Sequence, residues 1–271
     1  MMDRRTTPCS GEVAHVSLKG QVAAPRFTDG TPARIGLPVV DLLARPDGPR
    51  DRQLLLGEDF LVIDRREGHA FGRAAKDGYC GWLPEAALAA PETVTHRVAV
   101  PATHLYPEPR VQAHEIAALS FGARLTVIGE ARNFLQTTMG WVPACHLWPL
   151  DRLHSDPVAV ARFFHGTPYL WGGNSRAGID CSGLAQAALL ACGMDCPGDS
   201  DLQQTVGTEV SGDLQAGDLL FWKGHVAMAI DAQRMIHATG YVMGVIEEET
   251  EAAIARIAAA GEGPVLARRR P

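Results

Sequence analysis

The stretch "GGNSRAGIDCSGLAQAALLACG", residues 172–193, places a cysteine between a glycine-rich turn and an apolar segment. Asp180 is a typical N-cap residue and Gly193 a typical residue after a helix end, so the stretch predicts a helix that begins at Cys181. A thiol in the first turn lies near free backbone N–H groups and the positive end of the helix dipole, which both favour a thiolate. We therefore expect Cys181 to be a nucleophile, and Cys192, inside the apolar segment, to be a packing residue.

Two histidines flank a predicted β-hairpin in the downstream stretch "GHVAMAIDAQRMIHATG". Strand alternation puts His225 on the same face as Ala227 and Ala229, and this small face is expected to accept the cysteine helix. If the loop is residues 231–233, His237 lies opposite Ala227 and shares the face of His225, whereas a two-residue loop would put it on the other face. The pattern predicts a Cys–His–His arrangement in which one imidazole takes the thiol proton and the other orients it.

The sequence around this stretch predicts an α+β domain over residues 151–271. Asp156 and Pro157 are typical of a helix start in "DPVAVARFFHG". The cysteine helix follows, and then four strand-like runs without an alternating strand–helix rhythm, "DLLFW", "HVAMAI", "MIHATG" and "GVIEEE". After residue 250 the segment "TEAAIARIAAAG" predicts a helix, followed by a strand or tail. The basic run 268–270 is expected to be a solvated tail.

An internal repeat precedes this domain. "LLLGEDFLVID" (54–64) matches "ALSFGARLTVIGE" (118–130), and "GWLPEAAL" (81–88) matches "GWVPACHL" (140–147). Short apolar alternations separated by Gly, Pro and Asp are typical of small β-barrels. We therefore predict two barrels, over residues 31–91 and 95–150. Residues 1–30 form an N-terminal extension in which "EVAHVSL" is a candidate strand.

Composition narrows the classes of function. The 271 residues carry a net charge of −6, with a pI near 5.9, which argues against a nucleic-acid or anionic-membrane partner. Neither a signal-peptide pattern nor a membrane-spanning run is evident, so a cytoplasmic location is expected. The six cysteines are expected to be free thiols. Their spacing does not favour a metal site, and no cofactor is expected.

The motifs DCSG, GD-x-x-F, HV and IHA occur in the order found in NlpC-type cysteine peptidases, which this chain resembles over about residues 155–250. That family is papain-like, with an α+β fold, and acts on bacterial cell-wall peptides. The two upstream repeats resemble bacterial SH3-like domains, which often accompany such peptidases. The resemblance thus implies a papain-like peptidase domain preceded by two small SH3-like barrels.

The resemblance also implies roles for individual residues. Cys181 would be the nucleophile, His225 the base and His237 the third polar residue of the catalytic set. Tyr169 and Trp171, before the nucleophile, would line the site. The backbone N–H of Cys181 would contribute to stabilising the oxyanion.

The two repeats differ at two polar positions. The first has Glu58 and Tyr79 where the second has Ala123 and Thr138. Drift on a solvated surface would explain this difference as readily as a task gained by one copy. The resemblance favours the second interpretation, because in related peptidases a Glu and a Tyr of the first SH3-like domain reach the catalytic cleft and bind the free α-amine of an N-terminal L-alanine.

Four further substrate contacts are implied by the resemblance, and several carboxylates would suit an ammonium group. They are Asp180, Ser182, Asp199 and Ser200. The expected reaction is cleavage of the γ-D-glutamyl–diamino acid bond in murein tripeptides or tetrapeptides that begin with free L-Ala, during recycling of cell-wall peptides.

Two alternatives stay open on the sequence alone. An acyltransferase or amidase on the same scaffold would share the first chemical step and pass the acyl group to another acceptor. A wall-binding module with an inactive peptidase domain is a different class of function, and the intact Cys181, His225 and His237 set argues against it. The sequence sets neither the preferred diamino acid nor the oligomeric state.

Overall fold

The structure is a computed structural model that describes residues 2–271 and divides into two compact units, one up to Leu150 and one from Asp151 to Pro271. The division falls where the sequence changes from short strands with turns to a helix followed by strands. Among the described residues, no helix is both long enough and apolar enough to span a membrane.

The N-terminal extension pairs two short strands and is attached to the first barrel. Strand β1 (Val13–His15) pairs in parallel with β2 (Arg26–Thr28), and a 3-10 helix covers Val16–Leu18. The candidate strand in "EVAHVSL" is therefore confirmed for residues 13–15, whereas residues 16–18 form the 3-10 helix instead. Val13 is buried in a cluster with residues of the first barrel that include Phe71 and Trp82. This apolar contact anchors the extension to the barrel.

The first barrel is a seven-stranded antiparallel sheet with the strand order β5-β4-β8-β7-β6-β3-β9. Its strands are β3 (Thr31–Ile35), β4 (Val39–Leu43), β5 (Arg50–Leu55), β6 (Asp59–Arg66), β7 (His69–Ala74), β8 (Cys80–Pro84) and β9 (Leu88–Ala89), with a 3-10 helix at Glu85–Ala87. Alternate residues turn inward, so that Ile35, Leu42 and Phe60 form a closed apolar core with other inward residues.

The second barrel is built from three smaller sheets, with the orders β13-β10-β17, β11-β12 and β14-β15-β16. Its strands are β10 (His96–Val98), β11 (Ala102–Leu105), β12 (Ala117–Ser120), β13 (Arg124–Leu125), β14 (Val127–Ala131), β15 (Phe134–Thr137), β16 (Gly140–Pro143) and β17 (Leu147–Pro149), with a 3-10 helix at Ala144–His146. Val98, Leu125 and Val142 lie at the centre of its core.

The glycines matched in the repeat adopt the same backbone conformation. Gly57 has φ +77° and Gly122 has φ +86°, a region that favours glycine. At Gly57 a side chain is also excluded by space, because a Cβ would lie 2.3 Å from the carbonyl oxygen of Arg124. Next to it, Leu56 packs in the core of the second barrel. The two barrels therefore meet at the first glycine of the repeat.

The second unit is an antiparallel six-stranded sheet, in the order β20-β25-β21-β22-β23-β24, with helices packed on it. Its helices are α1 (Pro157–Arg162), α2 (Cys181–Ala191), α3 (Ser200–Gln203) and α4 (Thr250–Ala259). Its strands are β18 (Asn174–Ser175), β19 (Gly178–Ile179), β20 (Thr208–Glu209), β21 (Leu219–Trp222), β22 (His225–Ala229), β23 (Arg234–Thr239), β24 (Gly244–Glu249) and β25 (Ala267–Arg270). The predicted start of α1 at an Asp156 cap followed by Pro157 is confirmed.

The basic run near the C-terminus is a strand, so the expectation of a solvated tail is wrong. Strand β25 pairs with β20 on one side and β21 on the other. The guanidinium of Arg270 donates hydrogen bonds of 2.8 Å to each oxygen of the buried Asp218 carboxylate. This pairing with a distant carboxylate, which composition cannot reveal, draws the arginines into the sheet.

Candidate active site

The cysteine helix begins at Cys181, as predicted. The Asp180 carboxylate caps it, accepting hydrogen bonds through Oδ1 from the Gly183 N–H at 2.6 Å and the Ser182 hydroxyl at 2.9 Å. Its Oδ2 accepts the N–H of Gly172 at 2.9 Å. One buried carboxylate therefore holds both the glycine-rich turn and the first turn of the helix. Asp180 and Ser182, expected as substrate contacts, are already bonded to each other.

The sulfur of Cys181 lies against the backbone on both sides of His225. Its side chain is 7% exposed, and Sγ is 4.0 Å from the carbonyl oxygen of Gly224. The backbone N–H of Val226 is close enough to the sulfur to lower the thiol pKa. The two neighbours of the predicted base thus both contact the predicted nucleophile.

The hairpin has the loop length on which the histidine arrangement depended. Met228 pairs with Ile236 and Ala229 with Met235, and the Ile230 N–H donates a hydrogen bond of 2.8 Å to the Arg234 carbonyl oxygen, which leaves residues 231–233 as the loop. The same register continued places His237 opposite Ala227, on the face of His225. Nε2 of His225 and Nδ1 of His237 are 2.8 Å apart. The loop therefore has the three residues that the shared face required, a length that the sequence left open, and the two imidazoles form a hydrogen-bonded pair.

The small face of β22 has a different neighbour from the one expected. Ala227 and Ala229 pack in a cluster with Ala253 and Ile257, which belong to α4 rather than to the cysteine helix. The cysteine instead approaches the first residues of β22, where Gly224 precedes the strand. The expectation that α2 covers the small face is wrong. The alternation of small residues predicts that a helix packs on this face, but it does not predict which helix.

The thiol and the imidazole are both neutral at pH 7. Burial, with the negative charge of Asp180 second, raises the pKa of Cys181 to about 12. Burial, with the neighbouring His237 second, lowers the pKa of His225 to about 3. Backbone N–H groups around the sulfur oppose the rise of the thiol pKa without reversing it. The N–H groups at the helix start thus favour a thiolate, as expected, but in the resting site desolvation outweighs them and the thiol stays protonated.

Two charged residues extend the histidine pair. Nε2 of His237 is 2.6 Å from Oε1 of Glu248, and the Arg256 guanidinium donates a hydrogen bond to that same oxygen. The hydrogen bond from His237 holds the pKa of the Glu248 carboxyl below its usual range, and Arg256 adds to the effect. The sequence analysis missed both residues, although three consecutive acids in the strand-like run "GVIEEE" are an unusual signal.

A cleft of about 460 Å³ lies beside His225 and includes Tyr169, one of the two aromatic residues expected to line the site. Burial raises the pKa of the Tyr169 hydroxyl, and its proximity to the Cys181 and Asp180 side chains acts in the same direction. Trp171, the other aromatic residue, is 68% exposed.

Asp199 and Ser200 lie at the start of the short helix α3, which packs against α2. Asp199 occupies the N-cap position, and Ser200 is buried. Gln203, at the other end of α3, donates a hydrogen bond of 2.9 Å to the carbonyl oxygen of Ser182. The sequence analysis missed this link, which ties α3 to the turn that carries the cysteine.

Within the first unit, Glu58 and Tyr79 are buried residues of the first barrel. Oε1 of Glu58 accepts a hydrogen bond of 2.8 Å from Lys76, a partner that the sequence analysis missed. Its Oε2 is buried and has no hydrogen-bond partner within the part of the chain that the structure describes. Tyr79 packs in the barrel core, and Cζ of Arg52 lies 5.7 Å from the centre of its ring.

Comparison with known families identifies two regions of the chain. Residues 166–256 match the NlpC/P60 family, and residues 42–88 match the bacterial dipeptidyl-peptidase SH3 domain. The first match contains Cys181 and both histidines of the pair, and the second lies within the first barrel. The predicted papain-like domain and the SH3-like nature of the first barrel are thereby confirmed.

Two relatives extend the likeness over most of the chain. The γ-D-glutamyl-L-lysine dipeptidyl-peptidase of Bacillus subtilis is 32% identical over 213 residues, covering 69% of this chain and 71% of the relative. The protein of the same name from Bacillus cereus is 28% identical over 224 residues, covering 69% and 67%. A crystal structure of an NlpC/P60 family protein from Bacillus cereus has the same fold, with a TM-score of 0.76 and 22% identity over 89% of this chain and 99% of that one. Since the identity to the B. subtilis enzyme extends over more than two thirds of both sequences, the chain belongs to the NlpC/P60 family of cysteine peptidases.

Proposed function

We propose that this enzyme hydrolyses the γ-D-glutamyl–diamino acid bond of murein peptides that begin with free L-Ala, with Cys181 as nucleophile, His225 as base and His237 as the residue that orients the base. The observation that carries the proposal is the contact of the Cys181 sulfur with the backbone on both sides of His225, whose ring is hydrogen-bonded to His237. Two relatives named γ-D-glutamyl-L-lysine dipeptidyl-peptidase support the substrate class.

The first half of the proposed reaction starts from a neutral thiol and a neutral imidazole. His225 takes the proton of the Cys181 thiol while sulfur bonds to the γ-carbonyl carbon, and the carbonyl oxygen becomes an oxyanion. The backbone N–H of Cys181 is the proposed donor to this oxyanion. The C–N bond then breaks, the diamino acid amine receives the proton from His225, and a thioester remains on Cys181.

The second half releases the acyl group. A water molecule gives a proton to His225 as its oxygen bonds to the thioester carbon, and the C–S bond breaks. Sulfur recovers the proton from His225, and L-Ala-D-Glu leaves with a free γ-carboxyl group, which then loses the second proton of the water to solvent. Because both resting groups are neutral, the cycle returns the site to its starting charge.

Recognition of the free α-amine is proposed for Glu58 and Tyr79, with Asp180, Ser182, Asp199 and Ser200 as further contacts. Glu58 supports this assignment because only one of its carboxylate oxygens is occupied, by Lys76, and the other is buried without a partner among the described residues. A buried carboxylate oxygen without a hydrogen-bond partner favours binding of a cationic donor. Tyr169 and Trp171 are proposed to line the site.

The proposed role is recycling of cell-wall peptides in the cytoplasm. L-Ala carries a free amine only after the peptide has been detached from the glycan, so the proposed substrate is a released peptide rather than the intact wall. Cell fractionation followed by detection of the enzyme would test the location, and recovery outside the cytoplasm would count against recycling.

Two peptides test the specificity most directly. L-Ala-γ-D-Glu-diaminopimelate is expected to yield L-Ala-D-Glu by mass spectrometry, and its N-acetylated form is expected to react at least about 100-fold more slowly because the cation is lost. A Glu58→Gln variant should narrow this difference, whereas Glu85→Gln, in the same barrel, should not. Equal rates on both peptides would overturn amine recognition, and no cleavage of either would overturn the proposed function.

The same assay separates hydrolysis from acyl transfer. Adding an amine such as glycinamide offers the thioester a second acceptor. A product carrying glycinamide as the main species would favour the acyltransferase alternative, while L-Ala-D-Glu as the main species supports a hydrolase.

A further inference from the structure

The strand next to the histidine pair places an acidic residue at the end of a hydrogen-bonded chain. In the β23–β24 register His237 is opposite Ile246 and Met235 is opposite Glu248, so the glutamate lies two pairs along and on the same face of the sheet. Its Oε1 is 2.6 Å from Nε2 of His237. Hydrogen bonds therefore connect Glu248 to His237 and His237 to His225 without a gap.

Charge fixes the direction of the first hydrogen bond. Arg256 donates to the same carboxylate oxygen, and its guanidinium also stacks 4.2 Å from the centre of the Tyr241 ring, which holds the arginine in place. With this cation beside it, Glu248 is ionised and can only accept. The proton between Glu248 and His237 therefore belongs to Nε2 of His237.

The second hydrogen bond follows from the first. A neutral imidazole carries one N–H, so Nδ1 of His237 is an acceptor once Nε2 is the donor. Its partner at 2.8 Å, Nε2 of His225, must then be the donor. By the same rule Nδ1 of His225 has no proton and is the nitrogen that can take one.

The position of the cysteine matches this nitrogen. Nδ1 is bonded to the ring carbon nearest the backbone, and the Cys181 sulfur lies against the backbone at Gly224 and Val226, on both sides of His225. If the tautomers were reversed, Nδ1 of His225 would carry the proton and could not accept one from the thiol.

Burial makes the tautomers depend on Glu248. The His237 side chain is 0% exposed, so its Nε2–H cannot turn to solvent for another acceptor. Without the glutamate, this ring lowers its free energy by moving its proton to Nδ1 and donating to His225 instead. We infer that Glu248 is a positioning residue that fixes the tautomers of both histidines, so that His225 presents a bare Nδ1 to Cys181. The inference rests on the proposed roles of these three residues.

Three variants of the full chain test this inference. Glu248→Ala removes the acceptor, and Glu248→Gln keeps a carbonyl oxygen that can accept from His237 but removes the charge. Glu247→Gln is the matched control, because Glu247 is the neighbouring acid of β24 and pairs with Arg162 and Arg234 instead of a histidine. Urea denaturation of each variant establishes that it is folded before it is compared.

Kinetics on the γ-D-glutamyl peptide give the first readout. Glu248→Ala is expected to lower kcat about 100-fold with KM nearly unchanged, since the residue does not touch the substrate. Glu248→Gln is expected to retain kcat within about tenfold, and Glu247→Gln to retain it fully. An unchanged kcat in folded Glu248→Ala would overturn the inference, as would an equal loss in Glu247→Gln.

Ring-nitrogen NMR gives a second readout that needs no substrate. In protein labelled with ¹⁵N-histidine, two-bond proton–nitrogen spectra are expected to show protonated Nε2 on both His225 and His237, and a changed pattern in Glu248→Ala. The wild-type pattern persisting in Glu248→Ala would overturn the inference. If the wild-type enzyme cleaves no γ-D-glutamyl peptide, the proposed function fails while this spectrum still decides the role of Glu248.

Discussion

Cys80 in the first unit and Cys181 in the second are both buried, and their thiols have similar pKa values but different neighbours. Cys80 on β8 is 1% exposed and Cys181 at the start of α2 is 7% exposed, and both are free thiols. Burial raises the pKa of each thiol to about 12. Cys80 packs between Phe71 and Trp82, whereas Cys181 lies against the backbone that carries His225. Neither burial nor the thiol pKa distinguishes the two cysteines, so we expect the adjacent imidazole to be what makes Cys181 the nucleophile.

Replacing each cysteine by alanine tests the comparison with the largest expected effect. Cys181→Ala should lower kcat/KM on the γ-D-glutamyl peptide by about 10⁴-fold or more, because the bond-forming atom is lost. Cys80→Ala should retain kcat/KM within a few-fold. Steady-state kinetics on both purified variants provide the measurement, and comparable losses would remove the distinction between the two sites.

The second histidine of the pair is expected to have the next largest effect. His237→Ala should lower kcat about 10³-fold, since His225 then loses the partner that fixes its ring. His69→Ala is the matched control, because His69 lies on β7, beside β8 in the sheet of Cys80. Initial rates at saturating peptide measure both, and full activity of His237→Ala would contradict the catalytic role of the pair.

Acid should destabilise the fold through His225 and not through Cys80. The folded pKa of His225, about 3, lies below the ordinary value of 6.5, so below pH 6.5 the unfolded chain binds a proton that the folded chain does not. The contribution of His225 to the free energy of unfolding is complete above pH 6.5. It falls by about 2 kcal/mol between pH 7.5 and pH 5.

Urea denaturation at pH 7.5 and pH 5 tests this shift. His225→Gln should lose about 2 kcal/mol less than the wild type over this interval, because glutamine does not titrate. Cys80→Ala should lose as much as the wild type. A His225→Gln variant with the wild-type pH dependence would show that the buried imidazole titrates normally.

The smallest expected effect is on packing. Cys80→Ala should lower the free energy of unfolding by about 1 kcal/mol, because a sulfur atom is removed from a cluster with Val13, Ile63 and Trp82. Thermal unfolding at pH 7.5 measures this change. Cys80→Val fills the space again and should recover part of the lost free energy of unfolding. A Cys80→Val variant less stable than Cys80→Ala would show that the cluster has no room for the second methyl group of valine.

Local patterns in the sequence predicted the parts of the site that depend on local physics. The cap at Asp180, the helix from Cys181 and the end at Gly193 each follow from a residue at a fixed offset. The hairpin register followed from strand alternation once the loop length was given. The glycine matched in the repeat predicted the shared backbone of the two barrels, as the positive φ of Gly57 and Gly122 shows.

Contacts between distant residues could not be predicted in the same way. Glu248 meets His237 only because β24 pairs with β23, and Arg256 meets Glu248 only because α4 packs against β24. The neutral state of the thiol depends on desolvation, which no local pattern reports. Lys76 beside Glu58 and Asp218 beside Arg270 are likewise pairs formed by the fold.

The place of β25 in its sheet has a consequence for how this enzyme is made. Since β25 lies between β20 and β21, a ribosome that has synthesised the chain up to residue 262 has delivered the cysteine, both histidines and Glu248, but not the strand that closes the sheet. Until then β21 has an unpaired edge, which is a known risk for aggregation.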